Sequence, residues 1–261
     1  MPVLQTLHTL MYYDFFVPDL TIDPFEARSE TLLLVHGFAG TPTSDFAEQL
    51  PDFCRRYQVL APHLHGYGRS TPRSVYTLDY YRTDVADLVA LLDYLDLARV
   101  LVVGFSDGAI VSLLLAALHP SRVKALAVLG AQPTINRENT AGIRRWLLET
   151  PLSADWQQQL AELHGDPYWR ILPALYVEAQ EALVNAGGVL ISAEELAAIT
   201  CPTLIMHGTR DRIVPVEYAQ NLREKIPGSY LHLFDAGHPA HLRHAAAFTS
   251  LVLDFFSPEL Q

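Results

Sequence analysis

Gly104-Phe105-Ser106-Asp107-Gly108 holds the clearest chemistry in this chain. The apolar run Val100-Leu101-Val102-Val103 leads into it and a helical stretch from Ala109 leads out, so Ser106 falls on a strand-to-helix turn. Flanking glycines permit a bend too sharp for Cβ atoms, and a serine held there projects its hydroxyl as a nucleophile. The helix that follows adds partial positive charge behind it. The plainer alternative is a tight turn with a helix-capping serine.

A serine hydroxyl is a poor nucleophile near neutral pH. It needs an imidazole to take its proton and a carboxylate to stabilise and orient the imidazolium. Asp211 and His238 are the candidates: each follows an apolar run, Pro202 to His207 and Tyr230 to Phe234, and so stands at the end of a predicted strand. His238 is one of eleven histidines. Gly237 and the strand end select it, whereas His241 and His244 belong to the next helix and His36 to a glycine-rich turn. Asp235 is too near His238 in the chain to be placed by a separate strand. For Asp211 the structural alternative is an Asx turn before Arg212.

The negative oxygen of a tetrahedral intermediate needs preorganised donors. The backbone N–H groups of Asp107 and of Phe38, in His36-Gly37-Phe38-Ala39-Gly40, are the natural pair. Two readings of the Asp107 carboxylate stay open. Aimed at a pocket, it favours substrates with an amine near the scissile bond; otherwise it is an acid in the first turn of a helix.

Positioning these groups takes strands and helices in alternation. Predicted strands cover Thr31 to His36, Tyr57 to Ala61, Val100 to Val103, Val123 to Leu129, Pro202 to His207 and Tyr230 to Phe234, with one or two antiparallel strands opening the chain between Thr6 and Val17. Helices are expected around Phe46 to Phe53, from Asp79, from Ala109 to Leu118, from Val216 to Ile226 and up to Phe256. The pattern implies an α/β fold, a mostly parallel sheet with helices on both faces. Between Gln132 and Leu196 strands cease, and helices are expected at Ala141 to Glu149, Ala154 to His164 and Pro173 to Val184. Residues 132–196 thus read as a helical cap inserted between core segments 1–131 and 197–261. Trp146, Trp156, Tyr168 and Trp169 fall in the cap, either as pocket lining or as anchors that hold it down.

The 261 residues, half of them hydrophobic, can bury a sizeable core. With 18 basic and 29 acidic residues the net charge is −11, and no basic run invites nucleic acid or an anionic membrane. Cys54 and Cys201 read as buried thiols, with a bridge between them the alternative. His63 and His65 have the spacing of a metal pair without a third ligand nearby, so polar packing in a turn explains them better. No signal peptide or membrane-spanning run is evident, and a cytoplasmic protein is expected.

These segments together, with Gly66-Tyr67-Gly68-Arg69-Ser70, Gly208-Thr209-Arg210-Asp211-Arg212-Ile213-Val214-Pro215 and Gly237-His238, resemble the α/β-hydrolase family of serine hydrolases over nearly the whole chain. Within it the chain is similar to the valacyclovir hydrolase, or biphenyl-hydrolase-like, group, which shares Ser-Asp-Gly at the turn and a segment matching His241-Leu242-Arg243. The resemblance implies Ser106 as nucleophile, Asp211 as acid, His238 as base, and Phe38 and Asp107 as oxyanion donors. It also implies that Asp107 anchors the α-amino group of amino-acid esters. His63 stands where the family often has aspartate, and Ala109 where a third glycine is common.

The expected activity is hydrolysis of a small-molecule carboxylic ester by water, with no metal or organic cofactor. The alternatives are another acyl bond (lactone, amide, thioester or the carbon-carbon bond of a β-diketone), peracid formation, or a small-molecule receptor that has lost turnover. A homo-oligomer is compatible with the sequence, which does not fix the oligomeric state.

Overall fold

The computed structural model describes residues 2–17 and 30–257. Two short strands, β1 (Val3–Gln5) and β2 (Leu10–Phe16), open the chain as an antiparallel pair. Strand β3 (Thr31–Val35) follows, then helices α1 (Pro42–Asp45) and α2 (Leu50–Arg56), and strand β4 (Gln58–Pro62). Helix α3 (Tyr80–Tyr94) leads to β5 (Val100–Phe105), α4 (Asp107–Leu118) and β6 (Val123–Leu129). Four helices come next: α5 (Arg137–Arg144), extended by a π turn over Arg145–Glu149, α6 (Ala154–His164), α7 (Tyr168–Asn185) and α8 (Ala193–Ala197). The chain closes with β7 (Thr203–Gly208), α9 (Glu217–Lys225), β8 (Tyr230–Phe234), α10 (Ala240–Arg243) and α11 (Ala245–Phe255).

The strands form one eight-stranded sheet in the order β1-β2-β4-β3-β5-β6-β7-β8. From β4 to β8 every pairing is parallel, as the alternation of strands and helices requires. Side chains alternate between faces. Leu33, Val35, Val102 and Val128 pack on one side with Leu88 of α3 and Leu113 of α4. Leu32, Leu34, Val103 and Ala127 pack on the other with Phe53 of α2 and Phe248 of α11. Helix α4 is buried from Asp107 through Ala117, which anchors the Ser106 turn at the centre of the fold.

The helical region after β6 lies across the ends of the strands and is pinned there by polar contacts. His164 accepts the Gly68 N–H at 2.9 Å through Nδ1 and donates from Nε2 to the Ala39 carbonyl at 2.9 Å. Gln180 donates to the Tyr80 hydroxyl at 2.9 Å. Several boundaries differ from expectation. Helix α5 begins at Arg137 because Asn136 caps it, its side chain accepting the Asn139 N–H at 2.9 Å. Helix α7 begins at Tyr168 and carries Pro173 inside it rather than starting there. The unanticipated α8 has a capping box formed by Ser192 and Glu195. The last helix is split at His244. Cys54 and Cys201 are free thiols, so the bridge considered above is not formed.

Candidate active site

Ser106 follows β5 and caps the start of α4 with φ 55° and ψ −122°, a conformation an L-residue adopts only under constraint. Close packing imposes it. A Cβ on Gly108 would overlap the carbonyl oxygens of Val35 and His36, and one on Gly104 would overlap Ser112 Oγ and the Gly108 carbonyl. The serine side chain makes no capping bond, which removes the plainer account of this residue.

Three strand ends converge on it. His238, in the loop after β8, donates from Nδ1 to Asp211 Oδ2 at 2.6 Å, leaving Nε2 to accept the Ser106 hydroxyl at 2.9 Å. Asp211, in the loop after β7, does make the turn expected of an ordinary aspartate: Oδ1 accepts the N–H groups of Ile213 and Val214 at 2.8 and 2.9 Å. That turn is the device that aims Oδ2 at His238. Burial alone would push the Asp211 carboxyl up, but the His238 and backbone donors outweigh it and hold its pKa below the ordinary value.

The loop after β3 lies beside the nucleophile. His36 accepts the Leu64 N–H at 3.0 Å through Nε2 and donates from Nδ1 to the Gly37 carbonyl at 2.8 Å, a neutral strut whose pKa burial drives down to about 3. Ala39 has a positive φ of 59° and Gly40 N–H returns to the Gly37 carbonyl at 3.3 Å, so the loop doubles back at Phe38. The Phe38 ring stacks on Tyr176 of α7 at 3.9 Å between centroids. Asp107 is the first residue of α4, so its N–H lacks a helical acceptor.

The Asp107 carboxylate is buried beside this point. Its Oδ1 accepts the hydroxyls of Tyr81 and Tyr176 at 2.9 and 3.0 Å, while Oδ2 has no partner among the described residues. Desolvation raises its pKa to about 6 against the pull of both hydroxyls and His238. Neither tyrosine carried a signal in the sequence beyond the apolar face of a helix.

A cavity of about 310 Å³ opens at Ser106 and His238. Trp146 and Trp156 line it, stacked on one another at 5.2 Å, together with Tyr176, Phe38 from the loop after β3 and Asp45 of α1. It shares Ile143, Trp146 and Ile213 with a wider outer cleft of about 680 Å³. Tyr168 and Trp169, read from sequence as pocket lining or as anchors, do not line this cavity. The Tyr168 hydroxyl is taken by the Arg73 backbone N–H at 3.1 Å, and Trp169 is buried in the core with the Arg170 guanidinium over its ring. Both are anchors. His63 accepts the Arg69 N–H at 3.1 Å and abuts the Tyr12 ring, the packing role anticipated for it. Among the described residues no three His, Cys, Asp or Glu side chains are grouped to hold a metal, and no helix is long and apolar enough to cross a membrane.

Residues 30–245 match a family described as the alpha/beta hydrolase fold. Serine hydrolase BPHL of Mus musculus is 33% identical over 233 residues, covering 86% of this chain and 78% of that protein. A 2-hydroxymuconate semialdehyde hydrolase from a Pseudomonas species is 28% identical over 87% of this chain and 86% of its own. In fold, an enol-lactonase from Burkholderia xenovorans superposes with a TM-score of 0.75 at 23% identity, covering 97% of this chain and 99% of that one.

Proposed function

From the premise that this chain belongs to the α/β-hydrolase family, we propose that it cleaves small carboxylic esters through an acyl-serine intermediate and favours those with an α-amino group. The observation that carries the proposal is His238 bridging Ser106 Oγ and Asp211 Oδ2 with its two ring nitrogens. Ser106 attacks the ester carbonyl as Nε2 takes its proton. The N–H groups of Phe38 and Asp107 hold the oxyanion, and His238 passes the proton to the departing alcohol oxygen. Water then adds to the acyl-serine by the same route, with Nε2 again as base, and the acid is released.

Asp107 supports the preference for an amine. A first-turn acid needs no tyrosine partners, whereas two hydroxyls hold this carboxylate and leave one oxygen unpaired behind the Tyr176 edge of the cavity. An anionic acyl group, such as the muconate in a relative's name, meets repulsion from the same carboxylate. Cleavage of a lactone or a carbon-carbon bond is the second reading, favoured by the names of the enol-lactonase and the semialdehyde hydrolase.

The test is kcat/KM on esters of one alcohol whose acyl groups differ only in a free α-amine. The expected preference is about tenfold or more for the amine, roughly 1.4 kcal/mol, lost in Asp107→Asn. Equal rates on both esters contradict the amine preference, and turnover confined to lactones or β-diketones contradicts the ester reading.

A further inference from the structure

The cavity beside Ser106 is bordered by a second carboxylate that the reaction above does not use. Asp45 is the last residue of α1 and is the one carboxylate among the described residues lining that cavity. Its Oδ2 accepts the Gly37 N–H at 2.8 Å. The carboxylate occupies the space over the Gly40 Cα, where a Cβ would overlap both of its oxygens, so Gly40 is what admits it. Oδ1 has only the Ser44 hydroxyl at 3.4 Å, and that group's single proton already serves the Thr41 carbonyl at 3.1 Å. One oxygen of this half-buried carboxylate therefore keeps room for a cation.

The two carboxylates flank the nucleophile on different elements. Asp107 is held by Tyr81 of α3 and Tyr176 of α7. Asp45 is tied to α10, where His241 donates from Nε2 to the Asp45 carbonyl at 2.8 Å. That helix starts two residues after His238, and Pro239 and Leu242 line the cavity along with Asp45. His238 must hand its proton to the departing oxygen, so the alcohol half of an ester leaves along the side where Asp45 stands. The acyl half is left to the side of Asp107.

We propose that Asp45 is a specificity-determining residue for the leaving alcohol, favouring esters whose alcohol carries an ammonium group and disfavouring those whose alcohol carries a carboxylate or phosphate. The proposal rests on the ester-hydrolase reading. Burial raises the Asp45 pKa to about 6 while the Gly37 N–H and His238 pull it down, and His241 beside it is held neutral with a pKa near 4, so the carboxylate is charged at pH 7.5. A cation entering the cavity then meets a fixed negative charge.

The experiment compares two esters of one acyl group, with choline or its neutral isostere 3,3-dimethylbutanol as the alcohol, on wild type, Asp45→Asn and Asp107→Asn. Asparagine keeps an acceptor for the Gly37 N–H while removing the charge, and the ratio of the two kcat/KM values cancels any general loss. A choline-ester preference of about tenfold is expected in wild type and Asp107→Asn, falling to near unity in Asp45→Asn. A ratio near unity in wild type, or one unchanged by Asp45→Asn, overturns the proposal. Calorimetric binding of the two free alcohols needs no turnover. Tighter choline binding that Asp45→Asn abolishes supports the proposal, and equal binding of both alcohols to wild type overturns it. Absence of Ser106-dependent turnover on both esters overturns the ester-hydrolase reading instead, while the binding arm still decides Asp45.

Discussion

Ser106 is held in a strained backbone conformation so that its hydroxyl meets His238, and the strain is sustained by two glycines and a fully packed helix. Asp211 divides its oxygens between a backbone turn and the imidazole, which fixes both its place and the tautomer of His238. Replacing it by asparagine keeps the turn but offers His238 an amide that can stabilise the wrong tautomer. Asp211→Asn should lower kcat by about 10⁴-fold with the fold intact by circular dichroism, and a loss under tenfold would show that Asp211 does not serve His238. These three residues were legible because each follows a recognisable strand. Asp45, Tyr81 and Tyr176 were not, since a short capped turn and two helix faces bring them to the site, and nothing in local sequence marks those as facing a cavity. For Tyr168 and Trp169 the choice between pocket lining and anchor stayed open for the converse reason: aromatic residues in a helical region look alike until packing shows which way they turn.

At the level of elements, the strand-to-helix turn and the parallel order of the sheet followed from apolar runs bounded by glycine. The helical region after β6 was less legible. Pro173 reads as a helix start, yet α7 runs through it, because its apolar side chains Trp169, Leu172, Tyr176 and Val177 share a buried face that outweighs one lost hydrogen bond. The Ser192 to Glu195 capping box was a readable signal for α8 that its five-residue length obscured. Glycines offer a sharp contrast between elements. Gly108→Ala drives a Cβ into the β3 backbone and should destabilise the protein by about 2–3 kcal/mol. Gly142 lies inside α5 with no atom within 4 Å of an added Cβ, and Gly142→Ala should stabilise by about 0.5–1 kcal/mol. Urea denaturation of the two variants checks the pair, and equal effects would contradict the packing described.

For the whole molecule, burial of titratable groups sets the response to acid. His36, His63, His65, His164, His207 and His241 all have pKa values lowered chiefly by desolvation. Each is neutral in both states above its unfolded value near 6.5, and below that the unfolded chain takes up the proton first, so their contribution is lost as pH falls. Asp45, Asp84, Asp87 and Asp107 oppose this, because burial raises their pKa values and the folded state binds protons earlier. Six groups against four leave the histidines dominant. Stability should fall by on the order of 2 kcal/mol between pH 7 and pH 5, measured by urea denaturation. A flat or rising profile would contradict the buried neutral histidines. The net charge of −11 acts in the same way on substrates as on nucleic acid, since it disfavours polyanions before any contact is made.

In the proposed reaction Ser106 carries the acyl group. Reaction with a p-nitrophenyl ester, quenched during the first turnover and followed by peptide mapping, locates that group. The acyl mass should appear on the peptide holding Ser106, with Ser106→Ala showing no adduct and a fall in kcat/KM of at least about 10⁴-fold. An adduct on another residue, or turnover that persists in Ser106→Ala, would rule out Ser106 as the nucleophile.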